Sequence, residues 1–186
     1  ERSKEYRAHV FAEMMKARRM AEILKVPTIV EMVEDLYEEG ISPVVFVNFE
    51  DTMVALQKRL SSYGDVIGVI KGQQTAKERQ THIDEFQNNT RRIMLVNLAA
   101  GNAGISLHDL DGKFPRHSIV CPSWSAINLV QALGRIHRAE GKSPCLQKIV
   151  FAAETIEERC CERVQAKLDN LDMLNDGDLV GDIKIW

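Results

Sequence analysis

Apolar residues in this chain fall into two registers: short unbroken runs, and longer stretches spaced at three and four. The unbroken runs are Val44-Val45-Phe46-Val47 and Ile93-Met94-Leu95-Val96, and Val66 to Ile70, Ser118-Ile119-Val120-Cys121 and Lys148 to Phe151 are mostly apolar stretches of similar length. Runs this short, bounded by turn residues and lacking polar alternation, predict strands covered on both faces. Between them lie helical stretches with recognisable ends. Tyr6 to Leu24 carries helical periodicity, and Pro27 suits the first turn of a second helix ending at Gly40. Asp51 or Thr52 is placed to cap a helix that reaches Tyr63 and stops at Gly64. Thr75-Ala76-Lys77-Glu78 reads as a capping box opening a helix through Phe86. Ser125 caps the next helix, and Thr155-Ile156-Glu157-Glu158 reads as a second box before a long final one.

Strands alternating with helices of about a dozen residues predict an α/β fold, a mostly parallel sheet with helices on both faces. Right-handed crossovers then bring the loop after each strand to one edge of the sheet, where ligands bind. The expected division is N-terminal helices over 1–40, an α/β core over 41–154, and a C-terminal helix with an acidic tail over 155–186.

Composition narrows the function classes. With 45% hydrophobic and 27% charged residues in 186, the chain reads as an ordinary globular protein. Its net charge of −3 argues against a small basic protein that coats nucleic acid by bulk attraction. A motor touching a few phosphates inside a cleft remains compatible. No apolar run approaches the roughly 18 residues of a membrane span, and no signal-peptide pattern opens the chain. Cys121, Cys145, Cys160 and Cys161 show no C-x-x-C spacing, and the five histidines are scattered. Reduced thiols, an intracellular setting, no membrane partner and no metal site are therefore expected. The chain opens at Glu1 instead of a methionine, as an excised segment of something longer would. In the first helix Arg7, Lys16, Arg18 and Arg19 interleave with Glu5, Glu13 and Glu22, which favours packing beside the core over a nucleic-acid path.

Candidate chemistry gathers in the loops after the strands. Gln131-Ala132-Leu133-Gly134-Arg135-Ile136-His137-Arg138 is a Q-x-x-G-R-x-x-R pattern. On a helix, arginines three apart leave the same face, and Gly134 just before them allows a backbone or phosphate to come close. Such a pair suits the charge on a transferring phosphoryl group. Asn97 to Leu107 follows a buried strand with small residues and two glycines, again open to close approach. Asn48-Phe49 ends the first strand, and Gly72-Gln73-Gln74-Thr75 offers small polar donors at a helix N-terminus.

In this order the four loops resemble the second RecA-like domain of superfamily-two helicases and translocases. Val44 to Phe49 resembles motif IV, and Gly72 through Arg79 to Phe86 the G-x-x-x…R…F element that follows. Asn97 to Leu107 resembles motif V and Gln131 to Arg138 motif VI. Lys25-Val26-Pro27, Pro122-Ser123-Trp124 and Thr155-Ile156-Glu157-Glu158 are similar to passages of the Swi/Snf-type DNA-dependent ATPases. The resemblance implies that Arg135 and Arg138 reach the γ-phosphate of ATP and that Gln131 positions nucleotide or water. It implies that Gly104 couples nucleotide to the bound strand, and that Asn48, Gly72, Thr75 and Asn97 lie along the nucleic-acid backbone. The chain departs from the pattern at Ala99, at Asn102, and at Glu140-Gly141-Lys142, where a glycine-glutamine is usual.

No G-x-x-x-x-G-K-[ST] loop occurs. Gly141-Lys142-Ser143 would need a glycine at position 136, which is Ile136. Asp84-Glu85 falls inside a capped helix instead of ending a strand. The expectation is thus half of a composite ATP site. It is the C-terminal motor lobe of an ATP-dependent DNA translocase or helicase, inactive without an N-terminal RecA-like lobe that carries the P-loop and most of the Mg²⁺ ligands. An RNA helicase lobe and a non-catalytic RecA-like interaction module are the alternatives.

Overall fold

The computed structural model describes residues 2–101 and 104–174. Five strands, β1 (Ser42–Val47), β2 (Ile67–Ile70), β3 (Ile93–Asn97), β4 (Arg116–Val120) and β5 (Gln147–Ile149), form one parallel sheet in the order β2-β3-β1-β4-β5. β1 is central, and all six of its residues are buried. Its side chains alternate between two cores, because successive residues in a strand point to opposite faces. Val44 and Phe46 face one core with Met94, Val96 and Val120. Val45 and Val47 face the other with Leu95, Ile119 and Cys121.

Helices α2 (Val26–Glu38) and α3 (Glu50–Arg59) cover the second face through Ile29, Val33, Met53 and Leu56. Helices α4 (Ala76–Gln87), α6 (Ala126–Leu133) and α7 (Ile156–Leu174) cover the first through Phe86, Leu129, Cys160 and Val164. Helix α1 (Arg2–Leu24) packs at its C-terminal end against α3 and α7, while Tyr6 and Phe11 nearer its start are exposed. The short helix α5 (Leu98–Gly101) continues straight from β3, where a loop was expected. Among the described residues, no helix is long and apolar enough to cross a membrane.

Several predicted ends shift. Neither Asp51 nor Thr52 caps α3: Phe49 holds the cap position with no side-chain bond, and Thr52 is buried within the helix. The Met53 amide donates to the Phe49 carbonyl, which starts the helix two or three residues earlier than a cap at Asp51 or Thr52 would. That helix also ends at Arg59, and a 3₁₀ segment (Ser61–Val66) follows, broken where Gly64 takes φ 52°. The Thr75 box is complete, with the Glu78 amide on the Thr75 hydroxyl and the Thr75 amide on the Glu78 carboxylate. The second box is not reciprocal: the Thr155 hydroxyl accepts from Glu157, while Glu158 accepts from the amide of Glu154. The acidic residues from Asp176 onward lie outside the described residues.

Candidate functional site

Helix α6 starts where Ser125 accepts from the Asn128 amide at 3.2 Å, and it stops at Leu133. Gly134 is its C-cap, bonding back to Val130. Arg135 and Arg138 therefore lie in the turn beyond the helix, and helical spacing does not align them. A different geometry does. Arg135 Nη1 and Arg138 Nη2 both donate to the carbonyl of Ile105, at 3.4 and 3.3 Å. The backbones are joined as well, through Leu107 N to Arg135 O at 2.9 Å and Lys142 N to Asp109 O at 3.0 Å. The segment after α5 and the segment after α6 thus run against each other.

Arg135 is half-buried, and burial first, then the charge of Arg138, pulls its pKa below the ordinary arginine value. A guanidinium whose charge is disfavoured by its surroundings gains from an incoming anion. Gln131 is exposed on the last turn of α6. A Cβ at Gly134 would meet only ordinary contacts, the nearest being the Val130 carbonyl at 3.5 Å, so internal packing does not demand glycine there.

Next to this pair, Gly104, Ile105 and Ser106 face Ala76, Arg79, Gln80 and Ile83 of α4 across a groove of about 330 Å³. Gly104 has φ +55°, a conformation that side-chain-bearing residues rarely adopt, and open space lies where its Cβ would be. Gly72 likewise faces open space. Thr75 is occupied as the cap of α4, and Gln74 braces the loop by bonding Lys71 N and Val69 O, both at 2.9 Å. Asn102 and Ala103 lie outside the described residues.

Asn48 and Asn97 spend their amides inside the lobe. Asn48 Nδ2 donates to Glu22 Oε2 at 2.6 Å and to the Pro122 carbonyl at 2.8 Å. Asn97 Nδ2 donates to Asn48 O at 3.2 Å, while its oxygen accepts from the amides of Ala99 and Ala100 and so caps α5. The ends of β3, β1 and β4 are neighbours in the sheet, and these bonds tie them laterally.

Two buried charged residues were not singled out by motif, and Arg116, at the start of β4, lies at the end of the sheet opposite these loops. Glu22, noted only as one acid among bases, is fully buried. Arg116 is also buried, stacked 4.2 Å from the Phe86 ring and bonded to Phe86 O and Asn89 Oδ1. Burial pulls its pKa down to about 10, against the charges of Asp109 and Asp111. The reading of the first helix as packed holds for Arg18, which is buried and lies 5.6 Å from the Phe49 ring and 5.9 Å from Trp124. All four cysteines are free thiols.

Known proteins are similar to this chain in sequence and in fold. The profile of the Helicase conserved C-terminal domain matches residues 24–140. A protein of Acanthamoeba polyphaga mimivirus, provisionally named the ATP-dependent RNA helicase L364, is 38% identical over 171 residues, covering 91% of this chain and 31% of its own length. The mouse SWI/SNF-related matrix-associated actin-dependent regulator of chromatin subfamily A member 1 is 28% identical over 133 residues, covering 70% and 12%. In structure, the C-terminal part of the Fun30 ATPase domain superposes with a TM-score of 0.66 at 20% identity, over 75% of this chain and 44% of that one, a likeness of fold. The chain thus spans about a third or less of the length of these sequence relatives. It belongs to the helicase conserved C-terminal domain family, the RecA-like second lobe of superfamily-two ATP-dependent helicases, with Swi/Snf-type ATPases among its relatives.

Proposed function

We propose that this chain is the C-terminal motor lobe of an ATP-dependent DNA translocase or helicase, completing an ATP site shared with a P-loop lobe. One observation carries the reading: two arginines from one turn meet at a single carbonyl on the sheet edge, beside a groove. ATP held between the lobes supplies the γ-phosphoryl group transferred to water. Arg135 and Arg138 leave the Ile105 carbonyl and stabilise the charge that develops there, catalysis by placed charge without a covalent intermediate. Gln131, exposed one turn earlier, positions nucleotide or water. These side chains fit a phosphate, since Arg135 is partly desolvated and gains from an anion. Mg²⁺ would be held mainly by the other lobe, because among the described residues no acidic pair ends a strand of this one.

Gly104 and its neighbours couple the two ligands, since Ile105 bears both arginines and lines the groove. The nucleic-acid track runs over the edge marked by Asn48, Gly72, Thr75 and Asn97. Gly72 offers backbone to a phosphate, and Thr75 sets the N-terminus of α4, where a helix favours anions. Asn48 and Asn97 act through the loops they brace. Residues 41–154 make the RecA-like core, with 1–40 and 155–186 as helical flanks.

In the full-length protein, Arg135→Ala should lower nucleic-acid-stimulated ATPase by roughly 10³-fold or more, the scale of an arginine finger. An unchanged rate would refute the assignment. An RNA track is the second reading, favoured by the name of the mimivirus relative. Phosphate contacts alone do not separate the sugars. Stimulation by duplex DNA, single-stranded DNA and RNA, compared at equal nucleotide concentration, decides between them.

A further inference from the structure

Glu22 is a fully buried carboxylate on α1, outside every motif discussed above. Oε1 accepts from the amides of Asn48 and Phe49, both at 3.0 Å. Oε2 accepts from Asn48 Nδ2 at 2.6 Å and shares the Asn48 amide at 3.1 Å. Each donor belongs to the loop that ends β1. One turn on, Lys25 is buried too. It meets Glu157 Oε2 at 2.8 Å and the Val150 carbonyl at 2.9 Å, fastening the junction of α1 and α2 to the start of α7.

Burying a carboxylate costs several kcal/mol unless its partners are well placed, and an apolar side chain would pack this helix at less cost. What the carboxylate adds is position. Through Asn48 it reaches the Pro122 carbonyl, on the segment leading into α6 and the arginines. Through the Asn48 carbonyl it reaches Asn97, which caps α5 at the start of the segment bearing Ile105. One side chain of α1 is therefore bonded, directly or through Asn48, to three adjacent loops of the functional edge.

We propose that Glu22 is a positioning residue of the motor. It holds the loops after β1, β3 and β4 in the mutual geometry that lets nucleic acid on the edge raise hydrolysis at the arginines. This rests on the motor-lobe reading. Glutamine at 22 keeps the size but replaces one acceptor by an NH₂ group facing other donors. The β1 loop then loses its anchor while α1 stays held by Lys25 and Glu157.

The test compares Glu22→Gln, Glu22→Asp and Arg135→Ala in the full-length protein, titrating nucleic acid at saturating ATP. Glu22→Gln should cut maximal stimulation roughly tenfold, a loss suited to a charge-assisted hydrogen bond. It should raise the nucleic-acid concentration needed for half stimulation, and leave the unstimulated rate within about twofold, since the arginines are untouched. Glu22→Asp keeps the charge but draws the carboxylate back by one methylene from the amides of Asn48 and Phe49. It should reproduce the split and gives the answer if Glu22→Gln does not fold. Wild-type stimulation in either folded variant would overturn the proposal. So would an equal fall of stimulated and unstimulated rates, which marks a role in stability alone. Arg135→Ala separates the two claims: if it hydrolyses ATP normally, the motor-lobe reading fails whatever Glu22 does.

Discussion

Lys25 shows how much one buried charge can decide. Burial alone would lower its pKa, but the carboxylate and hydrogen bond of Glu157 and the carboxylate of Glu22 hold it above the ordinary lysine value. A base raised in this way contributes its full stability below the unfolded pKa of about 10.4, and the contribution is lost as pH climbs through the folded value. Lys25→Met leaves Glu157 buried without its cation and should cost about 3–5 kcal/mol in urea denaturation. Adding Glu157→Gln should recover part of that loss, and failure to recover any would remove the ion pair as the cause. Glu78 has the opposite sign. The bonds from the Thr75 amide and hydroxyl pull its carboxyl below the usual range. Its contribution is present above the unfolded value of about 4.3 and lost as pH falls through the lower folded one. The difference in denaturation midpoint between wild type and Glu78→Gln should therefore be seen at neutral pH and vanish in strong acid. A pH-independent difference would contradict the box.

Among the elements, α6 bears the most on function and was read least well. Its start was legible, because Ser125 is a good cap whose hydroxyl takes the Asn128 amide. Its end was not. The arginines looked helical by spacing, yet the chain turns at Gly134, and the Arg135 amide bonds to Ala132 in a tightened last turn. Ser125→Ala should cost about 1 kcal/mol, the loss of one helix cap, read from chemical denaturation. Because α6 leads directly into the arginine turn, stimulated ATPase should fall with it. Helix α3 gives a related lesson. Asp51 and Thr52 are both favourable cap residues, but burial of Thr52 and Met53 against the sheet carries them into the helix and moves its start to Phe49. Packing overrides local capping when the competing side chain has a core to enter.

For the whole molecule, five parallel strands line up four edge loops that are far apart in sequence. The order β2-β3-β1-β4-β5 sets the loop of β1 between those of β3 and β4, so Asn48 can bond to both neighbours. The lobe carries arginines but no P-loop. The isolated chain, given ATP, Mg²⁺ and nucleic acid, should accordingly show negligible turnover in a phosphate-release assay. Robust turnover would end the half-site reading. Joining it to a P-loop lobe should bring hydrolysis back, since the charge and the phosphate cradle then share one cleft.

The sequence alone determined the α/β class, since buried strands and capped helices announce themselves through short-range preferences. It also determined the residue types at the edge, because Gly, Asn and Arg at such points follow from local geometry and charge. Tertiary structure decided which of those side chains meet. Arg135 and Arg138 converge through the carbonyl of Ile105, 30 and 33 residues away in sequence. Asn48 is claimed by Glu22 from a helix 26 residues earlier. Such pairings depend on how strands order themselves and on which buried charges must find partners. Those choices are made only when the whole core closes, and a local pattern holds no record of them.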